Sequence, residues 1–299
     1  MGQLPENPEG KLTSSPPPVQ GNKTSSYLKI LIPLAIVILA LGIGVFLLKS
    51  GESKPSAQPD NVYHGTSTEA STEESSQVQW DFNGNEWISM GNPPSCKEPV
   101  SLMTPVDSSR VVSILYPGQK RGGDYKPHGG FRISETNAVM VRAPIDAMLV
   151  SGSRYIEQGE VQYLLFFVNP CGISYRFDHL LTLSPELQKV ADTLPPAKLD
   201  DSRATNFSQQ LRVKAGDTIA TEVGFKKTAN VSVDFGVYDL RAPNAVSHQT
   251  TFVQKHADSK EQAFYAVCWL DWLSSNDKLK FKLLPGADGI AGKTSDYCY

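Results

Sequence analysis

The sequence predicts an all-β folded domain behind a single membrane-crossing helix, and three observations predict it. Residues 30–48 form an apolar run without a charge, short β-branched and aromatic runs fill the chain after residue 78, and all four cysteines lie in that later part. The 19 residues of the apolar run would reach ~28 Å at about 1.5 Å per residue, which matches the hydrocarbon core of a bilayer. The later runs are separated by Gly, Pro, Asn and Asp, the spacing of strands joined by hairpins. An even number of cysteines without a CxxC spacing speaks for two disulfides in an oxidising compartment.

Taken in order, residues 1–26 are rich in Pro, Gly, Ser and Asn, with Pro16-Pro17-Pro18 among them. They have too little apolar content to fold and are expected to be a disordered cytoplasmic tail. Residues 27–49 are the expected transmembrane helix, with Lys29 and Lys49 at its ends, where long cationic side chains reach the interface. A cleaved signal peptide would need a shorter apolar region and a small-residue cleavage site close behind it. The lysines flanking the run lean only slightly towards an inside N-terminus, and the cysteines decide the orientation: C-terminal domain extracellular, localisation at the cell membrane. Residues 50–77 carry a Ser/Thr/Glu run and are expected to be a flexible acidic stalk. Asn206 and Asn230 open Asn-x-Ser sequons on the outside.

The folded domain is expected over residues 78–299. Its strand-like runs include 111–116, 137–143, 161–168 and 231–240, and helix is scarce, with two turns expected over 184–192 behind Ser184. Of the three ways to pair Cys96, Cys171, Cys268 and Cys298, the favoured one joins Cys268 to Cys298, stapling the terminal segment to the body, and leaves Cys96 with Cys171. Trp269, Trp272 and Tyr265 near Cys268 are expected to be core rather than a ligand platform. A net charge of −3, with no Lys/Arg-rich run, excludes a nucleic-acid partner. No nucleophile elbow, Walker loop or dinucleotide fingerprint is present. Gly118, Gly122, Gly123, Gly129 and Gly130 are expected to serve turns needing positive φ.

Three stretches concentrate polar chemistry: residues 117–133, ending in His128-Gly-Gly-Phe-Arg132; residues 173–187, containing Asp178-His179; and residues 211–225 with 231–239, the last including Ser232-Val-Asp234-Phe235. In order and spacing, residues 115–240 resemble the lysostaphin-type zinc endopeptidases, cell-wall hydrolases built on a duplicated hybrid β-sheet motif. The matching segments are His128 to Arg132, Ala143-Pro-Ile-Asp-Ala-Met-Leu, Phe177-Asp178-His179-Leu180, Val213-Lys-Ala-Gly216-Asp-Thr-Ile219 and Ser232 to Phe235. The resemblance implies metal positions at His128, Arg132 and Asp234, where Arg132 replaces the expected Asp, and catalytic positions at His179 and Ser232, the latter a histidine in the family. An arginine has no lone pair to give a metal. No cofactor is therefore expected, and zinc would need His128, Asp234 and a further acid such as Asp124. Arg132 and Asp234 are expected to pair where the metal would sit.

The resulting expectation is a membrane-anchored, peptidase-like, non-catalytic ectodomain that binds or scaffolds a cell-envelope glycan, peptide or protein, with His128 and His179 as hydrogen-bonded structural histidines. Two alternatives stand beside it: an active zinc endopeptidase on cell-wall peptides with altered ligands, and a structural surface spacer.

Overall fold

β-Branched and aromatic runs become strands where alternate residues can be buried on one side. The computed structural model describes residues 78–134 and 136–299; the expected tail, membrane helix and stalk lie outside them. Among the described residues no helix is long and apolar enough to cross a membrane. The described residues fall within one unit, Ala70–Tyr299. Strands β1 (Gln79–Phe82) and β2 (Trp87–Met90) form a hairpin of their own. There follow β3 (Val111–Leu115), β4 (Gln119–Arg121), β5 (Asp124–Lys126), β6 (Gly129–Ile133), β7 (Val141–Arg142), β8 (Ala147–Glu157), β9 (Glu160–Val168) and β10 (Ile173–Leu183). After helix α1 (Pro185–Ala191) come β11 (Lys198–Leu199), β12 (Thr205–Val213), β13 (Thr218–Val223) and β14 (Ser232–Asp239). The chain then turns helical, with α2 (Thr250–Lys255), α3 (Lys260–Ala263) and α4 (Ser275–Leu283) between short 3-10 turns.

Among the described residues, ten strands make one sheet whose main path runs β11-β8-β9-β10-β14-β6-β3, with β12 on β8 and β13 on β10 and β7. The fold is therefore mostly β, as expected, but not purely so: helices occupy the segment after Leu240. The run 137–143 was expected to be a strand, yet only Val141–Arg142 pairs. Upstream, Asn137 takes over β13's hydrogen bonds instead, its carbonyl accepting from the Val223 amide and its side chain donating to the Val223 carbonyl. Helix α1 falls where the Ser184-Pro185-Glu186 start places it, although Ser184 makes no side-chain cap.

The central strands bury one face in aromatic rings. Phe177, Phe235 and Phe131, on neighbouring β10, β14 and β6, stack at 5.1 and 5.9 Å. Trp269 closes on Phe131 and Phe235 at 4.9 and 5.3 Å, and Phe281 of α4 joins Phe131 at 5.5 Å. The post-240 segment thus covers the apolar face, with Trp269 and Tyr265 in the core as expected. Both disulfides take the favoured pairing, Cys96–Cys171 and Cys268–Cys298.

Two glycine expectations need separating. Gly118, Gly122 and Gly123 have positive φ, as turns require. Gly129 and Gly130 instead sit inside β6, where a Cβ would lie 2.2 Å from the Leu115 carbonyl and 2.5 Å from the Val233 carbonyl respectively. Close approach of β3, β6 and β14 is what excludes a side chain there.

Candidate functional site

Strand alternation sends every second residue to the sheet face opposite the aromatic core. On β6 that face carries Gly130 and Arg132; on β14 it carries Ser232, Asp234 and Gly236; on β10 it carries Arg176 and Asp178. The register aligns them: Ser232 faces Arg132, Asp234 faces both Gly130 and Asp178, and Gly236 faces Arg176. His128, immediately before β6, joins the same face. Gly130 and Gly236 leave room for these large groups, since a Cβ on Gly236 would lie 2.8 Å from His128 Cβ and 3.2 Å from Arg176 Cγ.

His179 would point into the core by simple alternation. It faces the cleft because its φ is +60° and the pairing of β10 with β9 shifts register between Phe177 and Leu180. A bulge of this kind re-aims one side chain, and a left-handed non-glycine residue costs of order 1–3 kcal/mol. At the same point β10 exchanges its partner β14 for β13.

These groups line a cavity of 530 Å³ that also includes Arg121, Lys126, Tyr155, Glu157, Asn230 and Asp288. His128 Nε2 lies 3.0 Å from Asp234 Oδ2, and His179 Nε2 lies 3.9 Å from the same oxygen. His128, His179 and Asp234 thus converge. A carboxylate can only accept, so Nε2 of His128 carries the proton and donates it to Asp234. Burial, reinforced by the Arg176 charge, lowers the His128 pKa to about 4 against the pull of Asp234. Its Nδ1 is buried without a partner, an acceptor left bare in a neutral ring. Asp234 is held below the ordinary carboxylate range. Burial opposes this, but the hydrogen bond from His128, with His179 and Arg121 close by, outweighs it.

Asp178 anchors the other half of the cavity. It pairs with the buried Arg176 guanidinium and accepts from Tyr155 Oη at 2.6 Å and the His179 amide at 2.9 Å. Burial alone would lower the Arg176 pKa, yet Asp178, Tyr238, Asp234 and Tyr155 together raise it. Arg176 also lies over the Phe166 ring at 5.4 Å. His179 Nδ1 sits 3.4 Å from Tyr155 Oη and 3.8 Å from Glu157 Oε2, and its ring packs on Phe225. Arg176, Tyr155 and Glu157 were not singled out from the sequence. For Arg176 the signal existed: two charges at i and i+2, Arg176 and Asp178, in an otherwise apolar strand mark one polar face.

Two expectations are corrected. Arg132 does not pair with Asp234. It stands level with Ser232, one pleat repeat along, and Asp234 spends its oxygen on His128. Asp124 does not line the cavity; it lies exposed on the β4–β5 hairpin, 3.5 Å from Lys126.

The donor set does not suit the zinc that the resemblance implies. Zinc needs three protein ligands with lone pairs. Here His128 and Asp234 are bound to each other, the third position is Arg132, and the Arg176 charge bears on both. Among the described residues no three His, Cys, Asp or Glu side chains gather in a way that could hold a metal ion.

A second cavity of 580 Å³ opens on the same sheet face, lined by Trp80, Phe82 and Trp87 of the β1–β2 hairpin together with Phe166, Ser174 and Tyr238. Ser174 and Arg176 are successive residues on that face of β10, so the aromatic groove adjoins the charged cleft.

No family model matches the chain, and no curated protein does. Three solved chains match. One, the NMR solution structure of lysostaphin, is 12% identical, with 48% of this chain and 49% of that chain covered and a TM-score of 0.26. The match thus spans about half the length of the lysostaphin chain, and a likeness of this size carries no argument.

Proposed function

We propose that the protein is a membrane-anchored, extracellular, peptidase-like binding protein. In this reading its cleft holds a cell-envelope glycan, peptide or protein without hydrolysing it. The observation that carries the reading is the His128–Asp234 hydrogen bond at 3.0 Å beside Arg132 and Arg176. The polar groups at the family's metal positions are occupied with one another or are cationic, and a metal-bound water cannot be generated without ligands. The adjoining aromatic groove supports an elongated ligand, because aromatic faces supply contact area at low conformational cost. Both disulfides support a location outside the cytoplasm, with the apolar run 30–48 as anchor and the N-terminus inside.

The test combines three measurements on full-length protein: metal analysis after zinc exposure, a hydrolysis assay on cell-envelope peptides, and co-sedimentation with envelope fragments. Co-sedimentation without stoichiometric zinc or hydrolysis is expected. Stoichiometric zinc with cleavage would restore the enzyme reading, and absence of all three would leave a structural spacer.

A further inference from the structure

Four cationic side chains line the charged cleft, and three of them are already engaged. Arg176 is paired with Asp178. Arg121 donates to the carbonyls of Tyr116 at 2.9 Å and His128 at 3.2 Å. Lys126 lies 3.5 Å from Asp124. Arg132 is different: among the described residues its guanidinium makes no hydrogen bond and no ion pair, although it is half-buried. Directly across the β6–β14 ladder, Ser232 is 3% exposed and its hydroxyl also has no partner among the described residues. Asn230, two residues earlier in that chain, lines the same cavity; its backbone pairs with Phe225, and its side-chain carboxamide has no hydrogen bond among the described residues. A guanidinium, a hydroxyl and a carboxamide are thus presented together at one end of an open cleft.

Leaving a partly desolvated guanidinium without an acceptor is costly, and its planar fork matches a carboxylate in bidentate fashion. We propose that Arg132, Ser232 and Asn230 form an oxyanion subsite that takes the carboxylate of a peptide ligand. This rests on the binding reading above and names the chemistry of one end of the ligand.

The charge balance selects a monoanion. Arg121, Lys126, Arg132 and Arg176 are matched in the lining by Glu157, Asp178, Asp234 and Asp288, so the cleft offers one unspent fork rather than a strongly positive field. A phosphate dianion would bring a second negative charge into a lining whose charges already balance. The placement also gives a use to the position where the resemblance would put a metal ligand. Where a lone-pair donor would face a cation, a guanidinium faces an anion.

The experiment titrates full-length protein with acetyl-Ala-Ala as the free acid, with the same dipeptide as its C-terminal amide, and with inorganic phosphate. Binding is followed by calorimetry and by the NMR signals of arginine Nε–H groups. The free acid is expected to bind at least ten-fold more tightly than the amide and to shift one arginine signal, which is absent in Arg132→Gln. Arg132→Lys is expected to recover only part of the affinity, because the charge remains but the fork is lost. Ser232→Ala, a small change at a site with no protein partner, serves as a second variant that keeps the fold and should weaken the free acid several-fold. Equal binding of acid and amide would overturn the subsite while leaving the cleft a peptide binder. Phosphate binding in place of the acid would overturn the assignment to a carboxylate. No binding by any of the three would overturn the subsite outright, whereas co-sedimentation with envelope fragments reports separately on the broader reading.

Discussion

Replacing Asp178 by Asn removes one charge from the centre of the sheet and little else. The amide oxygen can still accept from Tyr155 Oη and the His179 amide, which use Oδ1 of the native carboxylate. What is lost is the counter-charge for Arg176, whose side chain is 8% exposed against 10% for Asp178. Breaking a buried pair on one side costs about 3–5 kcal/mol, because the surviving charge is stranded. The nearby Asp234 charge softens the loss towards the lower figure. For a domain of this size each kcal/mol is worth about 2–4 °C in Tm, so a fall of roughly 6–20 °C is expected. Near-UV circular dichroism, to which the buried Trp269 contributes, would follow the melt of full-length protein. Arg176→Met added to Asp178→Asn should return most of the loss, since two stranded partners are removed together. If Asp178→Asn melts within about 1 kcal/mol of the parent, or the double variant is no better than the single, the pair is not what holds this region.

Further outcomes follow from the same structure. His128 is neutral in the fold with a pKa of about 4, whereas an unfolded histidine titrates near 6.5. Between those values the unfolded chain binds a proton that the folded one refuses. Stability should therefore fall as the pH drops from about 6.5 to 4, by up to about 3 kcal/mol, in urea titrations, and His128→Gln should flatten that slope. Asp234 acts in a lower window: its depressed pKa contributes above the ordinary carboxylate value and is lost only in stronger acid. Gly130→Ala places a methyl 2.5 Å from the Val233 carbonyl and 3.1 Å from Asp234 Oδ1, and should destabilise by about 1–3 kcal/mol. Gly289→Ala, with nothing within 4 Å, should be silent in the same denaturation series.

Strands β3, β9 and β14 were legible as β-branched and aromatic runs between turn residues, each burying more than half of its residues, and the disulfide pairing because one arrangement tied the terminal segment down. The post-240 helices were not legible. In α4 only Phe281 is buried, while Leu279 and Leu283 are 63% and 75% exposed, so the apolar spacing carries no helical face. The meeting of His128, His179 and Asp234 could be anticipated from motif order. His179 reaches the cleft only through a bulge and a left-handed backbone, which a period of two does not announce. The Arg132–Asp234 pairing failed for a reason of register alone: Gly130, not Arg132, stands opposite Asp234.

The glycine hairpin that walls the cleft is braced from behind by a distant stretch of chain. Gln119 Nε2 donates to the Thr294 carbonyl at 2.8 Å, the Asp296 amide to the Gly118 carbonyl at 3.0 Å, and Tyr125 and Tyr297 share a hydroxyl contact at 2.7 Å. A growing chain completes β14 at Asp239, yet these braces and Cys298 lie more than fifty residues further on. The hairpin wall of the cleft is therefore fixed in place only once the segment around residues 294–298 has been made.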